Sequence, residues 1–421
     1  MLRTSRTARE TRRKPGRSLA LALVLGLGLA GTSFTAAPAF AQSKAQNSKA
    51  FVEAYQPVAD IANAEGGDYA AGKARLPAVL AAVETADDRF LAGNLSLLLG
   101  NKLNDPALQR QGLELMLASG KADPAQVGQL QFFVGSLAYN AGDYGAARTA
   151  LQAALDAGYT QDNPQGLIAE SYFKEGQAAQ GLDYLKGLIE EQKAAGQEVP
   201  EAWYLRGLKV AYDNKLTDKA TEWSALLVAN SPTERNWLQA LQVVNSLVST
   251  DAQARLDVLR LMALTDSLSQ RSEFETYVAT LDPRVLPSEA GKVLATGVEK
   301  GAFQPSDPFY AETKRIVDSR ASSEAELAAD YESEAASAAD GKPAFNAGDV
   351  YLSIGNYAKA EEMFKLALNK GGVDRNQVLT RIGIAQVHQS KLNEAKDSFA
   401  QVSGERAPVA RMWTAYIESR A

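Results

Sequence analysis

Residues 344–402 read AFNAGDVYLSIGNYAKAEEMFKLALNKGGVDRNQVLTRIGIAQVHQSKLNEAKDSFAQV, and this stretch decides the fold. It writes one helical hairpin twice, 35 residues apart. Gly348 answers to Gly383, Ala360 to Ala395, Phe364 to Phe399 and Ala367 to Val402. Small residues at the first two points let paired helices approach closely, and Phe at the third fills the space between them. Gly355-Asn356-Tyr357 is the turn of the first copy. Gly ends one helix in the left-handed conformation, Asn caps the next by accepting from its free amides, and Tyr packs its start. A period in the thirties with small-residue contacts and Gly-centred turns signals a stack of helical hairpins.

The same turn recurs upstream as Gly67-Asp68-Tyr69 and Gly142-Asp143-Tyr144. Before the first, Phe51, Tyr55, Val58 and Ile61 mark a helical face, with Pro57 predicting a kink or a late start. Residues 90–103 and 106–117 make a looser pair. A clear hairpin follows through Gly135, Leu151 and Ala154, and another 34 residues on through Ala169, Gly176, Gly181 and Leu185. A third opens at Trp203 and Gly207 and returns through Ala220, Leu227 and Pro232. From Thr250 to Asp318 helical faces persist, but Asp282-Pro283, Leu286-Pro287 and Gln304-Pro305 cut them into irregular pairs. Residues 318–342 shift to Ala, Ser and acid, expected as a weakly packed helix or a hinge. Ala407 to Arg420 carries Val409, Met412, Trp413 and Ile417, as a helix covering the end of a stack does.

This spacing resembles the tetratricopeptide repeat, whose pattern is Trp, Leu-Gly and Tyr in the first helix and Ala, Phe, Ala, Pro through the second. Trp203 and Gly207 match the first positions, with Arg206 where Leu stands in the family. Gly348, Tyr351, Ala360, Phe364 and Ala367 match the middle, and Pro232 the last. The resemblance is good over 128–232 and 341–404, weak over 51–127 and absent in detail over 250–340. It implies an all-α fold: a right-handed superhelical solenoid of antiparallel helical hairpins. The expected organisation is a signal peptide (1–41), an N-terminal array (42–317), the acidic linker or helix (318–342), and a C-terminal repeat pair with its capping helix (343–421). That last block is expected to be a separable module.

The first 17 residues carry seven basic side chains; Leu19 to Ala30 is apolar, and Ala39-Phe40-Ala41 is a small-x-small cleavage site. Together these read as a secretory signal peptide, too short in its apolar core to span a membrane. Without those seven cations and Glu10, the chain keeps 37 basic and 49 acidic residues, a net charge of −12. Phosphate backbones repel such a surface, so nucleic acid is excluded as a partner class. The chain has no Cys, which excludes disulfides, thiolate metal sites and lipidation at an N-terminal Cys. The expected location is the periplasm.

The family resemblance implies an inner groove lined by set positions of each first helix. Carried over, the fifth, twelfth and thirteenth give Phe132, Tyr139 and Asn140; the next repeat gives Phe173 and Lys174, and the next Tyr204 and Tyr212. A row of aromatics with polar tips suits a peptide, because it offers large contact area at low rotamer cost. The competing reading of Phe132 and Phe173 is packing between irregular repeats. The family's carboxylate clamp needs Lys at the fifth and Asn at the ninth position, and no repeat here carries that pair. His388 is the only histidine, near the end of a first helix and facing the groove on the same register. One imidazole, no thiol, no nucleophile-elbow serine and no cofactor motif favour binding over catalysis, with no cofactor and no metal. The expected function is a periplasmic scaffold holding a peptide segment or partner protein; the alternative is a cell-envelope accessory that binds or processes glycan.

Overall fold

A computed structural model describes residues 46–248 and 251–420, so the expected signal peptide lies outside the described residues. The described elements are helical. The chain divides into two compact units between Ile168 and Ala169.

The first unit pairs α1 (Lys49–Asn63) with α2 (Tyr69–Ala81), α3 (Ala86–Leu103) with α4 (Pro106–Ala118), and α5 (Pro124–Asn140) with α6 (Tyr144–Asp156). α1 runs unbroken through Pro57, so the expected late start does not occur. Asp68, Asp105 and Asp143 each accept a backbone amide in the first turn of the helix that follows. Asp88 is fully buried and accepts from Asn47 and from the amides of Ser48 and Thr85, which ties the start of α1 to α3. The pair that looks loose in sequence has touching backbones. A Cβ on Gly112 would sit 2.5 Å from the Leu97 nitrogen, and one on Gly93 2.7 Å from the Gly112 oxygen. α7 (Pro164–Lys174) carries the division between the units.

The second unit continues with α8 (Ala178–Ala194), α9 (Glu201–Asp213), α10 (Thr217–Asn230), α11 (Glu234–Leu247), α12 (Ala252–Leu264), α13 (Arg271–Leu281), α14 (Pro287–Glu299) and α15 (Pro308–Arg320). α16 (Glu324–Ser337), α17 (Lys342–Ile354), α18 (Tyr357–Lys370), α19 (Arg375–His388), α20 (Leu392–Ala400) and α21 (Ala407–Glu418) complete it. The hairpin contact inferred from 344–402 is present. A Cβ on Gly348 would lie 2.5 Å from the Phe364 ring and one on Gly383 2.4 Å from the Phe399 ring, each ring sixteen residues on. Gly207 and Trp223 repeat the contact at 2.1 Å, and Gly135 and Leu151 at 2.6 Å. Gly355 turns the chain at φ 87°, and Asn356 caps α18 as its position predicts.

Residues 343–421 do not stand apart. One continuous buried core runs from Val228 through α12, α13 and α14 to α17, α19 and α21. Trp413 of α21 donates its indole N–H to the Asp257 carbonyl at 3.1 Å, and the Trp237 and Tyr416 rings meet at 6.1 Å. The acidic segment, expected as a weakly packed helix or a hinge, is the helix α16. Ala328 and Ala335 are fully buried, Glu332 pairs with Lys359 of α18 at 2.7 Å, and buried Glu324 accepts the amide of Ser288 and the hydroxyl of Ser353. The segment 318–342 therefore lies inside a compact unit, because α16 presents small buried residues where the composition suggested weak packing or a hinge.

Candidate functional site

The second unit holds an open cleft of about 240 Å³ between α12, α13, α14 and the ends of α17 and α19. Its position follows from the register of the hairpins. With Gly348 and Gly383 at the close-contact eighth position, Leu352, Ser353, Ile384 and His388 occupy groove positions nine to thirteen, and all four line the cleft. The inner face of the C-terminal pair thus exists, but it faces α12 and α14.

The floor is a closed ionic network. Arg260, 6 % exposed, donates from Nε to Glu289 Oε1 at 2.8 Å, from a terminal nitrogen to Glu289 Oε2 at 2.9 Å, and to Asp257 at 3.1 Å. Burial would push this guanidinium down, but the charges of Glu289 and Asp257 hold it well above its ordinary range. Tyr277 donates to Glu289 Oε1 at 2.9 Å; burial and that carboxylate push its phenol up. Burial would raise Glu289, and Arg260 outweighs burial and keeps it low. Both Glu289 oxygens are thereby engaged, and the network joins three helices. Behind it, Asp257 also accepts from Arg381 at 2.7 Å and Arg406 at 3.1 Å, and Arg381 reaches Asp349 as well.

The rim is different. His388 stacks on Tyr357 with ring centres 4.4 Å apart and planes 8° apart, while its edge stays exposed. Lost solvation first, then the charge of Arg260, lower its pKa below the usual 6.5, so the ring is neutral at pH 7. Lys292 is exposed and donates only to the Ser353 carbonyl, at 3.3 Å; no carboxylate among the described residues pairs with it.

The residues expected to line a peptide groove separate into buried and exposed sets. In the first unit Phe132 is 7 % exposed and packs on Tyr159 at 5.2 Å, so it is an inter-helix residue; Tyr139 is half-buried beside Tyr144, and Asn140 is exposed. In the second, Phe173 lies half-buried between Gly181 and the Arg206 guanidinium, 5.2 Å from its centre. Lys174 is exposed. Tyr204 is wholly buried and donates to Asn230 Oδ1 at 2.9 Å, which removes it from any open face. Tyr212, on the same helix, is 51 % exposed. The fifth-position rings Phe132 and Tyr204 are therefore covered, while Asn140, Lys174 and Tyr212 at thirteenth positions are open. The cleft residues Arg260, Tyr277, Glu289 and Lys292 come from the stretch with no clear repeat. Their one sequence signal is a charge inside an apolar face, such as Arg260 between Val258-Leu259 and Leu261-Met262.

No protein-family model matches the chain, and no curated protein matches it in sequence. Among solved structures, a chain from the structure of Naa15/Naa10 bound to HypK-THB is similar at 13 % identity with a TM-score of 0.38; the match covers 85 % of this chain and 58 % of that one. The described residues of each unit form antiparallel helical hairpins, and the fold is all-α.

Proposed function

We propose that this chain is a tetratricopeptide-type interaction scaffold of the bacterial cell envelope, holding a peptide segment or a partner protein on the open faces of its first helices, and that it binds without catalysing. Tyr212 carries the reading. Among the described residues the exposed large hydrophobic side chains are Val52, Tyr212 and Val285, and Tyr212 is the aromatic one, at a groove position of α9 with exposed Lys209 one turn before it. An amphipathic ring left open on a repeat face suits an interface, where it brings contact area at small entropic loss. The envelope location rests on the basic, apolar and Ala-x-Ala order of residues 1–41 and on the net charge of −12 after them.

A photo-crosslinking probe at Tyr212, expressed in the native cell, should recover a discrete protein partner from the envelope fraction. Recovery of none, with protection of Tyr212 by sugars, would replace this reading with the glycan one. Fractionation of a chain bearing a C-terminal reporter tests the location separately: the processed form belongs in the periplasmic fraction, and retention in the cytosol removes the envelope from the proposal.

A further inference from the structure

Another cavity, of about 470 Å³, lies in the second unit where the start of α21 meets the start of α10 and the end of α11. Small-molecule sites usually hold roughly 300–1,000 Å³ and combine apolar walls with a few convergent polar groups. Here the apolar wall keeps open surface, because Leu247, Ala407 and Pro408 are each only half-buried. The charged walls are open too. Asp218 and Glu405 are exposed, and neither carboxylate meets a cation among the described residues. Arg411 shares the cavity with them, yet it donates only to the Asp218 backbone carbonyl, at 3.4 Å. The remaining acid, Asp251, is already filled by Arg406 at 3.1 Å and by the amides of Gln253 and Ala254. A plain anion would gain from Arg411 and be repelled by two carboxylates, and a plain cation the reverse. A ligand carrying both charges gains at both walls. The guanidinium fork matches a carboxylate, and the three donors of an ammonium suit two carboxylates.

We infer that this cavity binds a small zwitterion of the amino-acid class, its carboxylate on Arg411, its ammonium on Asp218 and Glu405, and its carbon body on Leu247, Ala407 and Pro408. None of the groove positions lines it, Tyr212 included, so the inference does not depend on the scaffold reading.

Isothermal titration of the full chain after residue 41 compares four probes: leucine, ε-aminocaproate, leucinamide and acetyl-leucine. The first two carry both charges, close together in leucine and far apart in ε-aminocaproate. Leucinamide keeps only the ammonium and acetyl-leucine only the carboxylate. At least one zwitterion should bind, and each single-charge probe should be weaker by about tenfold or more, the loss expected for one charge-assisted hydrogen bond. Arg411→Gln and Glu405→Gln should each weaken the zwitterion by a similar factor, Arg411→Lys should retain it in part, and none should alter the helical circular dichroism. Tighter binding of leucine assigns an α-amino acid, and tighter binding of ε-aminocaproate assigns a longer zwitterion. Either supports the inference. It is overturned if neither zwitterion binds at millimolar concentration, if leucinamide or acetyl-leucine binds as tightly, or if Arg411→Gln and Glu405→Gln both bind like the parent. The probe series decides the matter without any variant.

Discussion

Replacing Gly207 with alanine would put a Cβ 2.1 Å from Trp223 Cε3 and 2.3 Å from Cζ3. The indole is wholly buried, so the ring cannot swing into solvent. Overpacking of this kind costs about 1–3 kcal/mol. Alanine returns about 1 kcal/mol through its higher helix propensity. Given how short the approach is, the upper part of the overpacking range applies, and the net effect is a loss of about 1–2 kcal/mol. Gly187 supplies the control: it is exposed on α8, and an added Cβ meets nothing within 4 Å. There alanine should stabilise by roughly 0.5–1 kcal/mol. Urea unfolding followed by circular dichroism would read both, with opposite signs. In thermal melts each kcal/mol corresponds to roughly 2–4 °C for a unit of this size. Trp223→Leu, the residue type that faces Gly135 in the α5/α6 hairpin, should make the double variant with Gly207→Ala better than the sum of the two. A Gly207→Ala protein as stable as Gly187→Ala, or strict additivity in the double variant, would refute the contact as the basis of the hairpin.

Asp257→Asn would leave Arg260, Arg381 and Arg406 with one buried counter-charge fewer, and a loss of about 3–5 kcal/mol in urea unfolding is expected. Removal of residues 343–421 takes away Arg381, Arg406 and Trp413 together, so limited proteolysis should find α10 to α14 cleaved; a protected 169–342 fragment would contradict the single unit. Glu361 is held at a pKa of about 2: burial would raise it, but hydrogen bonds from Lys365, Lys391, Gln386 and Gln389 outweigh that. Its folded value lies below its unfolded one, so its stabilisation is complete above pH 4.5 and fades as pH falls toward 2; in Glu361→Gln, acid unfolding should lose that part of its pH dependence. Tyr204→Phe removes the bond to Asn230 and should cost about 0.5–1.5 kcal/mol of stability without affecting partner capture, whereas Tyr212→Ala should do the reverse.

The hairpins were legible because their contacts are local. A glycine and the residue sixteen positions on meet across one turn, so Gly348 with Phe364 and Gly383 with Phe399 can be read from spacing alone, and the same spacing from Gly207 leads to Trp223. Groove positions were less legible. Whether a fifth-position ring is open depends on what lies across from it, and here Tyr159 covers Phe132 while Asn230 takes the hydroxyl of Tyr204. Of the cleft, only His388 and its register were legible. Asp257 finds Arg381 124 residues away and Arg406 149 residues away, and no periodicity reports a partner at that distance.

The acidic segment, expected as a weakly packed helix or a hinge, is a helix whose packing its composition did not reveal. Its apolar residues are almost all alanine, which on a hydropathy scale resembles a weak face. In a hairpin stack, though, the contact residues are the small ones, because the backbones must come close before the rings can fill the gaps. Ala328 and Ala335, seven residues apart on α16, are as buried as Ala344, Ala347 and Ala360 in the hairpin that follows. Glu332 then projects beside Tyr351 and Lys359, and Glu324 holds Ser288 and Ser353, so two of the acids that suggested solvent bind α16 to α14, α17 and α18. The smallness that marked residues 344–402 as paired helices therefore marks 324–337 as well.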